Sequence, residues 1–174
     1  MKRSFVKMHG CGNDYIYFDC MEKPLELPEA WAVRLSDRHK GIGGDGLVMI
    51  LPAEGADGRM RMFNADGSEG KMCGNAIRCV GKYLYDKGYA KKEQLCIQTL
   101  RAQDLAYDGG NGQAVAAKVD MGPAEFSAKR ILGAADGSVI DKQLPLEESR
   151  PALPAYPWAI RTVWCLWRMW RRCR

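Results

Sequence analysis

The chain has 174 residues, 47% of them hydrophobic and 27% charged, which is the composition of an ordinary globular protein. No apolar run approaches the roughly 20 residues that cross a bilayer, and the N-terminus lacks the apolar stretch of a secretory signal, so we expect no membrane association. Seven irregularly spaced cysteines without such a signal predict reduced thiols and a cytoplasmic location.

The net charge of +5 comes from one end of the chain. From Pro157 onward there are five arginines and no acidic residue; without that segment, basic and acidic residues are equal at 21 each. A neutral body offers no basic groove, so we expect no nucleic-acid partner. The same segment holds four of the five tryptophans.

The first half of the chain predicts short strands around one helix. Pro28–His39 has the features of a helix, because Pro suits the first turn and Trp31 and Leu35 lie one turn apart. Apolar or alternating runs predict strands at residues 4–8, 15–20, 47–51 and 59–64.

The second half begins with a more strongly amphipathic helix. From Gly74 to about Lys87 the pattern places Ile77, Val80 and Leu84 on one side, and Gly88 provides a C-terminal stop. Residues 94–100 predict a strand, and residues 103–121 a hairpin around Asp-Gly-Gly-Asn-Gly. Strands and single helices alternate without a βαβ rhythm, which indicates an α+β fold of mixed strands.

Two motif-like features carry little chemistry. Gly41–Gly46, "GIGGDG", matches the Gly-x-Gly-x-x-Gly motif of dinucleotide-binding sites, which requires a strand before it and a helix after it. Here a helix precedes the motif and a strand follows, so a flexible turn is the better interpretation. The cysteines show no Cys-x-x-Cys pair and the two histidines are isolated, so we expect no metal site. Cys20, Cys79 and Cys96 lie in patterns that indicate small core residues.

Cys73 differs because it directly precedes a predicted helix. The first N–H groups of a helix lack internal acceptors, and the helix dipole there favours negative charge. Both effects favour a thiolate, and the same groups can hold a carboxylate. The pattern fits proton chemistry on an amino acid, although a plain helix start is an equal alternative.

Three stretches in the same order resemble one enzyme family: "KMHGCGNDYIYFDC", "DRHKGIGGDGLV" and "FNADGSEGKMCGNAIRCVGKYLYDKG". They are similar to diaminopimelate epimerase, and the resemblance covers about residues 1–125. It implies two similar domains of mixed strands curled around a central helix, with the site between them. It also implies epimerisation of LL-diaminopimelate to the meso form, for lysine and peptidoglycan synthesis, with neither pyridoxal phosphate nor metal. Two cysteines on opposite faces of the α-carbon exchange its proton.

The resemblance also implies roles for single residues. Cys73 matches one catalytic cysteine. The implied substrate-binding residues are Asn13, Asn64, Gly74, Asn75 and, through its backbone only, Gly46. For Asn13 and Asn64 the alternative is turn capping.

The end of the chain departs from the family pattern. We expect residues 1–120 to form the N-terminal domain, 121–155 to begin a truncated second domain, and 156–174 to be a frameshifted tail. One back-translation of the tail, moved by one base, encodes Met-Gly-Asn-Pro-His-Cys followed by an apolar strand, which resembles the family's next motif. With the partner cysteine missing, we expect this chain to be inactive by itself.

Two alternatives stay open: a proline-racemase-like amino-acid racemase, and a non-catalytic binding protein in which Cys73 is a sensor thiol. Trials with LL-diaminopimelate, proline and hydroxyproline as substrates test the first alternative. Absence of substrate-dependent α-proton exchange in a repaired, full-length protein would favour the second. A homodimer of the full-length enzyme is a further expectation.

Overall fold

The computed structural model describes residues 3–99, 102–110, 113–120, 142–143 and 152–153. The chain divides into two compact units, Met1–Asp120 and Met121–Arg174. In the second unit, the described part is an antiparallel pair, β9 (Lys142–Gln143) and β10 (Ala152–Leu153). The segment interpreted as a frameshifted tail lies outside the described residues.

The described part of the first unit forms a mixed sheet with two helices. Its elements are β1 (Val6–Gly10), β2 (Asn13–Asp19), α1 (Pro28–Ser36), β3 (Gly46–Leu51), β4 (Gly58–Asn64), β5 (Glu69–Gly70), α2 (Gly74–Asp86), β6 (Gln94–Gln98), β7 (Ala102–Gly110) and β8 (Gln113–Val119). The strand order is β1-β2-β3-β4-β6-β7-β8, and β5 pairs with β4. The pairs β2–β3 and β4–β6 are parallel and the others antiparallel. This confirms the α+β fold class.

The sheet curls around α2. Both ends of the strand order, β1 and β8, pack against this helix, as do β2, β4 and β6. The helix presents Ile77, Val80 and Leu84, each fully buried, to an inner core that includes Tyr17 and Val48. The predicted central buried helix is therefore confirmed. It ends at Asp86, and Gly88 follows with a φ of 81°, the left-handed conformation that glycine adopts most easily.

The outer face of the sheet carries α1. Alternate residues of β2 and β3, such as Ile16 and Leu47, point to this second core, where Ala32 of α1 is fully buried. Because β3 is covered on both faces, its sequence is a continuous apolar run rather than an alternating one.

Two expectations from the sequence need correction. The first helix ends at Ser36 and not at His39, because the Asp37 carboxylate accepts the N–H groups of His39 and Lys40 and closes a turn. Cys96 is only half-buried, so it is not a core residue like Cys20 and Cys79.

Neither described helix, of 9 and 13 residues, is long and apolar enough to cross a membrane. Within the described residues, no three His, Cys, Asp or Glu side chains cluster in a way that could hold a metal ion.

Candidate active site

One edge of the sheet gathers most of the predicted site residues. The parallel strands β2 and β3 both begin there, and β4, which runs antiparallel to β3, ends there. Asn13 opens β2, and Gly46, the first residue of β3, pairs with Tyr15 on one side and Asn64 on the other. The register of three strands therefore brings together residues that are 51 positions apart in the sequence, from Asn13 to Asn64.

Cys73 is the N-cap of α2, and its side chain takes the place of a capping hydroxyl. Its backbone is extended, with a φ of −139°, and its sulfur accepts a hydrogen bond from the Ala76 N–H at 3.5 Å. The first turn of α2 contains no acidic residue to offset the helix dipole. The half-buried thiol thus lies at an uncompensated positive helix end, as the sequence predicts.

A second contact joins Cys73 to the sheet edge. The thiol donates a hydrogen bond to Asn13 Oδ1, with 3.4 Å between sulfur and oxygen. The structure therefore brings two of the predicted site residues into direct contact, although 60 positions separate them.

The Asn13 amide is held in turn by a charged network. Its Nδ2 donates to Asp45 Oδ2 at 2.7 Å. Arg38 bridges Asp45 Oδ1 at 3.0 Å and Asp14 Oδ1 at 2.6 Å, and Lys7 pairs with Asp14 at 3.0 Å. The hydrogen bond from Arg38 holds the pKa of Asp14 well below its usual range, so this carboxylate stays charged.

Three groups near the thiol are neutral at physiological pH. Burial, followed by the proximity of Cys73, raises the pKa of Tyr15 to about 12, so its hydroxyl keeps its proton at physiological pH. Burial likewise raises the pKa of Tyr17 and of the Cys79 thiol deeper in the inner core. Cys79 is therefore a poor candidate for the reactive group.

Gly46 and Asn64 meet on the neighbouring strands. A Cβ at Gly46 would lie 2.1 Å from the Phe63 carbonyl oxygen and 2.9 Å from the Tyr15 ring, so only glycine fits. The Asn64 amide donates to Ser68 Oγ at 2.9 Å within the turn that leads to β5. The turn-capping alternative for Asn64 thus describes its contacts in this structure.

Gly74 and Asn75 form the first turn of α2, ahead of the first intrahelical bond, from the Ile77 N–H to the Cys73 carbonyl. Their own N–H groups have no intrahelical acceptor. The Asn75 side chain accepts a hydrogen bond from Arg78. At Gly10, a Cβ would be 3.0 Å from Asn75, so this glycine lets the β1–β2 turn approach the helix.

Sequence reasoning missed Tyr15 and Asp45 as members of the site. Tyr15 is hidden in an apolar strand, where nothing in the pattern distinguishes it from its neighbours. Asp45 carried a usable signal, since it is the single charged residue in the glycine-rich loop Gly41–Gly46.

Two cavities lie elsewhere on the first unit. The larger, of about 460 Å³, is mainly apolar and lies between α1 and the segment around Leu25, with Phe18 and Trp31 in its lining. The smaller, of about 320 Å³, lies beside Arg78 and Lys82. Cys73 lines neither cavity, so the candidate site is defined by the contacts of this thiol and not by cavity size.

Solved structures define the fold class. A hydroxyproline epimerase from Agrobacterium vitis aligns with a TM-score of 0.56 at 15% identity, over 87% of this chain and 48% of that one. A methylitaconate-delta-isomerase aligns with a TM-score of 0.55 at 19% identity, over 90% and 51%. At these identities the likeness establishes the fold alone.

Sequence comparison gives the family. The diaminopimelate epimerase profile matches residues 5–127. A diaminopimelate epimerase from Acetivibrio thermocellus is 56% identical over 119 residues, which is 68% of this chain and 42% of that protein. One from Methanococcus maripaludis strain C5 is 49% identical over 128 residues, 73% and 46%. The chain belongs to the diaminopimelate epimerase family, and it spans about half the length of the curated relatives it matches.

Proposed function

We propose that this chain is the Cys73-bearing half of a diaminopimelate epimerase, an isomerase that converts LL-diaminopimelate to the meso form without a cofactor. The observation that carries the proposal is the placement of the Cys73 thiol. It caps a helix N-terminus and contacts Asn13, and both residues lie in motifs of the family.

The geometry suits removal or return of an α-proton. The N–H groups of Gly74 and Asn75 can receive a substrate carboxylate, because a helix N-terminus binds anions. Donors held there also stabilise the negative charge that grows on the carboxylate as the α-carbon loses its proton. Cys73 then exchanges the proton on one face, by general acid–base catalysis.

The opposite face of the α-carbon needs a second acid or base. Within the matched residues Cys73 is the one cysteine at a catalytic position of the family, so we propose that turnover requires the other half of the protein. We propose that residues 1–120 form the N-terminal domain, that 121–155 begin the second domain, and that 156–174 are an out-of-frame tail. The chain of 174 residues should be inactive by itself.

We propose a cytoplasmic location and a role in lysine and peptidoglycan precursor synthesis. The mechanism needs reduced thiols, which the cytoplasm maintains. Cys11, Cys20, Cys73 and Cys79 are free thiols. We also propose that the full-length enzyme forms a homodimer.

Substrate trials with the frame-restored, full-length protein test the substrate. LL-diaminopimelate, proline and trans-4-hydroxyproline are each incubated in heavy water, and α-deuterium uptake is followed. Exchange with diaminopimelate alone is the expected result. Exchange with proline or hydroxyproline alone would assign the protein to the racemase alternative, and exchange with none of the three would favour a non-catalytic thiol.

A further inference from the structure

We propose that Asp45 is a positioning residue that acts through Asn13: it fixes the orientation of the Asn13 amide so that its oxygen faces Cys73 and holds the proton on the thiol. The role in catalysis rests on the proposed function, whereas the contact itself can be tested without substrate. Asp45 would then set how readily Cys73 exchanges between its acid and base forms.

The orientation follows from what each group can donate or accept. An ionised carboxylate only accepts hydrogen bonds, so the Asp45 oxygen that lies 2.7 Å from the Asn13 amide must face its NH₂ group. The carbonyl oxygen of the amide then points the other way, to a position 3.4 Å from the Cys73 sulfur. An amide oxygen cannot donate, so the contact favours a protonated thiol over a thiolate.

Asp45 is itself fixed by its surroundings. Its Oδ2 also accepts the backbone N–H of Asp14 at 3.1 Å, and its Oδ1 accepts from Arg38 at 3.0 Å. The carboxylate therefore has three donors around it in a defined geometry. Rotation of the Asn13 amide would place its oxygen against this carboxylate and is disfavoured.

Tyr15 also lies within hydrogen-bond reach of both Asn13 and Cys73, but its hydroxyl can donate or accept and so does not by itself select one orientation of the amide. Tyr15, Tyr17 and Cys79 face Cys73 from the sheet and from α2. Burial keeps all three neutral at physiological pH, as their raised pKa values indicate. The Ala76 N–H, which donates to the sulfur, favours the thiolate instead. The Asn13 oxygen thus favours the protonated thiol, whereas the helix N-terminus favours the thiolate. Asp45 controls which end of the Asn13 amide faces the sulfur.

Two substitutions at one position separate orientation from charge. Asp45→Asn removes the charge but can keep an oxygen at the Oδ2 position, where it still accepts from Asn13. Asp45→Ala removes the acceptor as well, which frees the Asn13 amide to turn its NH₂ group toward the sulfur. If Asp45 acted only by its negative charge, both variants would change Cys73 equally.

The measurement is the rate of Cys73 alkylation by iodoacetamide as a function of pH, read by peptide mass spectrometry on the 174-residue chain. For Asp45→Ala we expect the midpoint of the profile to fall by about 0.7 pH unit, which is about fivefold faster labelling below the midpoint, the effect of one hydrogen bond. For Asp45→Asn we expect a rate within about twofold of the parent. A plateau at high pH that is the same in all three proteins shows that access to the thiol is unchanged.

Equal shifts in the two variants, or no shift in either, would overturn the proposal. Buried Cys20 reports folding, since it stays slow to label in folded protein. If Asp45→Ala does not fold, Asn13→Ala replaces it, because it removes the acceptor directly and should give the same downward shift; an unchanged midpoint would then overturn the proposal. In the Asn13→Ala background Asp45→Asn should have no further effect. None of these outcomes depends on epimerase activity.

Discussion

The substitution Gly46→Ala tests whether the sheet edge that carries the site is as tightly packed as the structure indicates. The added methyl group would lie 2.1 Å from the Phe63 carbonyl oxygen, where carbon and oxygen need at least about 3.0 Å. The obstacle is backbone of the paired strand β4, so it cannot move aside as a side chain would. The strands must separate by roughly 1 Å, which strains the pairing of Gly46 with Asn64.

We expect Gly46→Ala to lower the free energy of unfolding by about 3 kcal/mol, the upper part of the usual range for overpacking. Gly58→Ala is the comparison, since Gly58 opens β4 and its added Cβ would lie 2.9 Å from a methyl group of the buried Leu84 side chain and not against strand backbone at such a distance. Its loss of stability should be smaller than that of Gly46→Ala by about 1 kcal/mol or more, because a side-chain methyl group can shift where paired backbone cannot. Urea unfolding followed by circular dichroism measures both. Equal losses, or a larger loss at Gly58, would refute the packing assigned to this edge.

Three further predictions follow from the described contacts. Ile77→Asp should destabilise the protein by about 4 kcal/mol or more in urea unfolding, because it buries an unpartnered carboxylate. The control, Ile77→Val, should lose about 1 kcal/mol. Equal urea midpoints for the two variants would contradict the placement of Ile77 in the inner core. Because the pKa of Asp14 is lowered in the folded state, its ionised carboxylate stabilises the fold above about pH 4, and this stabilisation is lost as the pH falls toward the folded-state pKa. The difference in unfolding free energy between the parent and Arg38→Gln should therefore become smaller between about pH 5 and about pH 3. A difference that grows over this range would contradict the ion pair. Near neutral pH, Cys73 should be alkylated faster than Cys20, whose pKa is raised by burial, and the reverse order in mass-spectrometric mapping would argue against the site.

Local signals were sufficient for most of the fold. The helix from Gly74 has a long apolar stripe, a Cys73 cap and a Gly88 stop, and all three features appear in the structure. The hairpin of β7 and β8 follows from glycine-rich turn chemistry in the same way. The predicted and observed elements agree here because local propensity and tertiary packing favour the same conformation.

The failures arose where tertiary contacts decided the outcome. Cys96 was expected in the core, but in β6 it alternates with the buried Leu95 and Ile97 and is itself only half-buried. The helix stop at Ser36 came from a side-chain turn at Asp37 that competes with helix propagation.

The candidate site was predictable in part. Cys73 was found from the helix start, and Asn13 from the family motif. The link between them was not predictable, because the contact joins residues 60 positions apart and depends on how α2 packs against β1 and β2. The same holds for Asp45, whose role arises only once the loop before β3 lies beside Asn13.

The most direct test of the central claim is α-deuterium uptake by LL-diaminopimelate in heavy water, measured together with inversion at the α-carbon. The frame-restored protein should show both, the 174-residue chain should show neither, and Cys73→Ala in the frame-restored protein should abolish both. Cys11→Ser is the control, because it removes an exposed thiol two positions from Asn13 and should leave turnover in place. Full activity of the Cys73→Ala variant would contradict the assignment of Cys73 as the group that moves the proton. Normal turnover by the 174-residue chain would contradict the proposal that the reaction needs a second half.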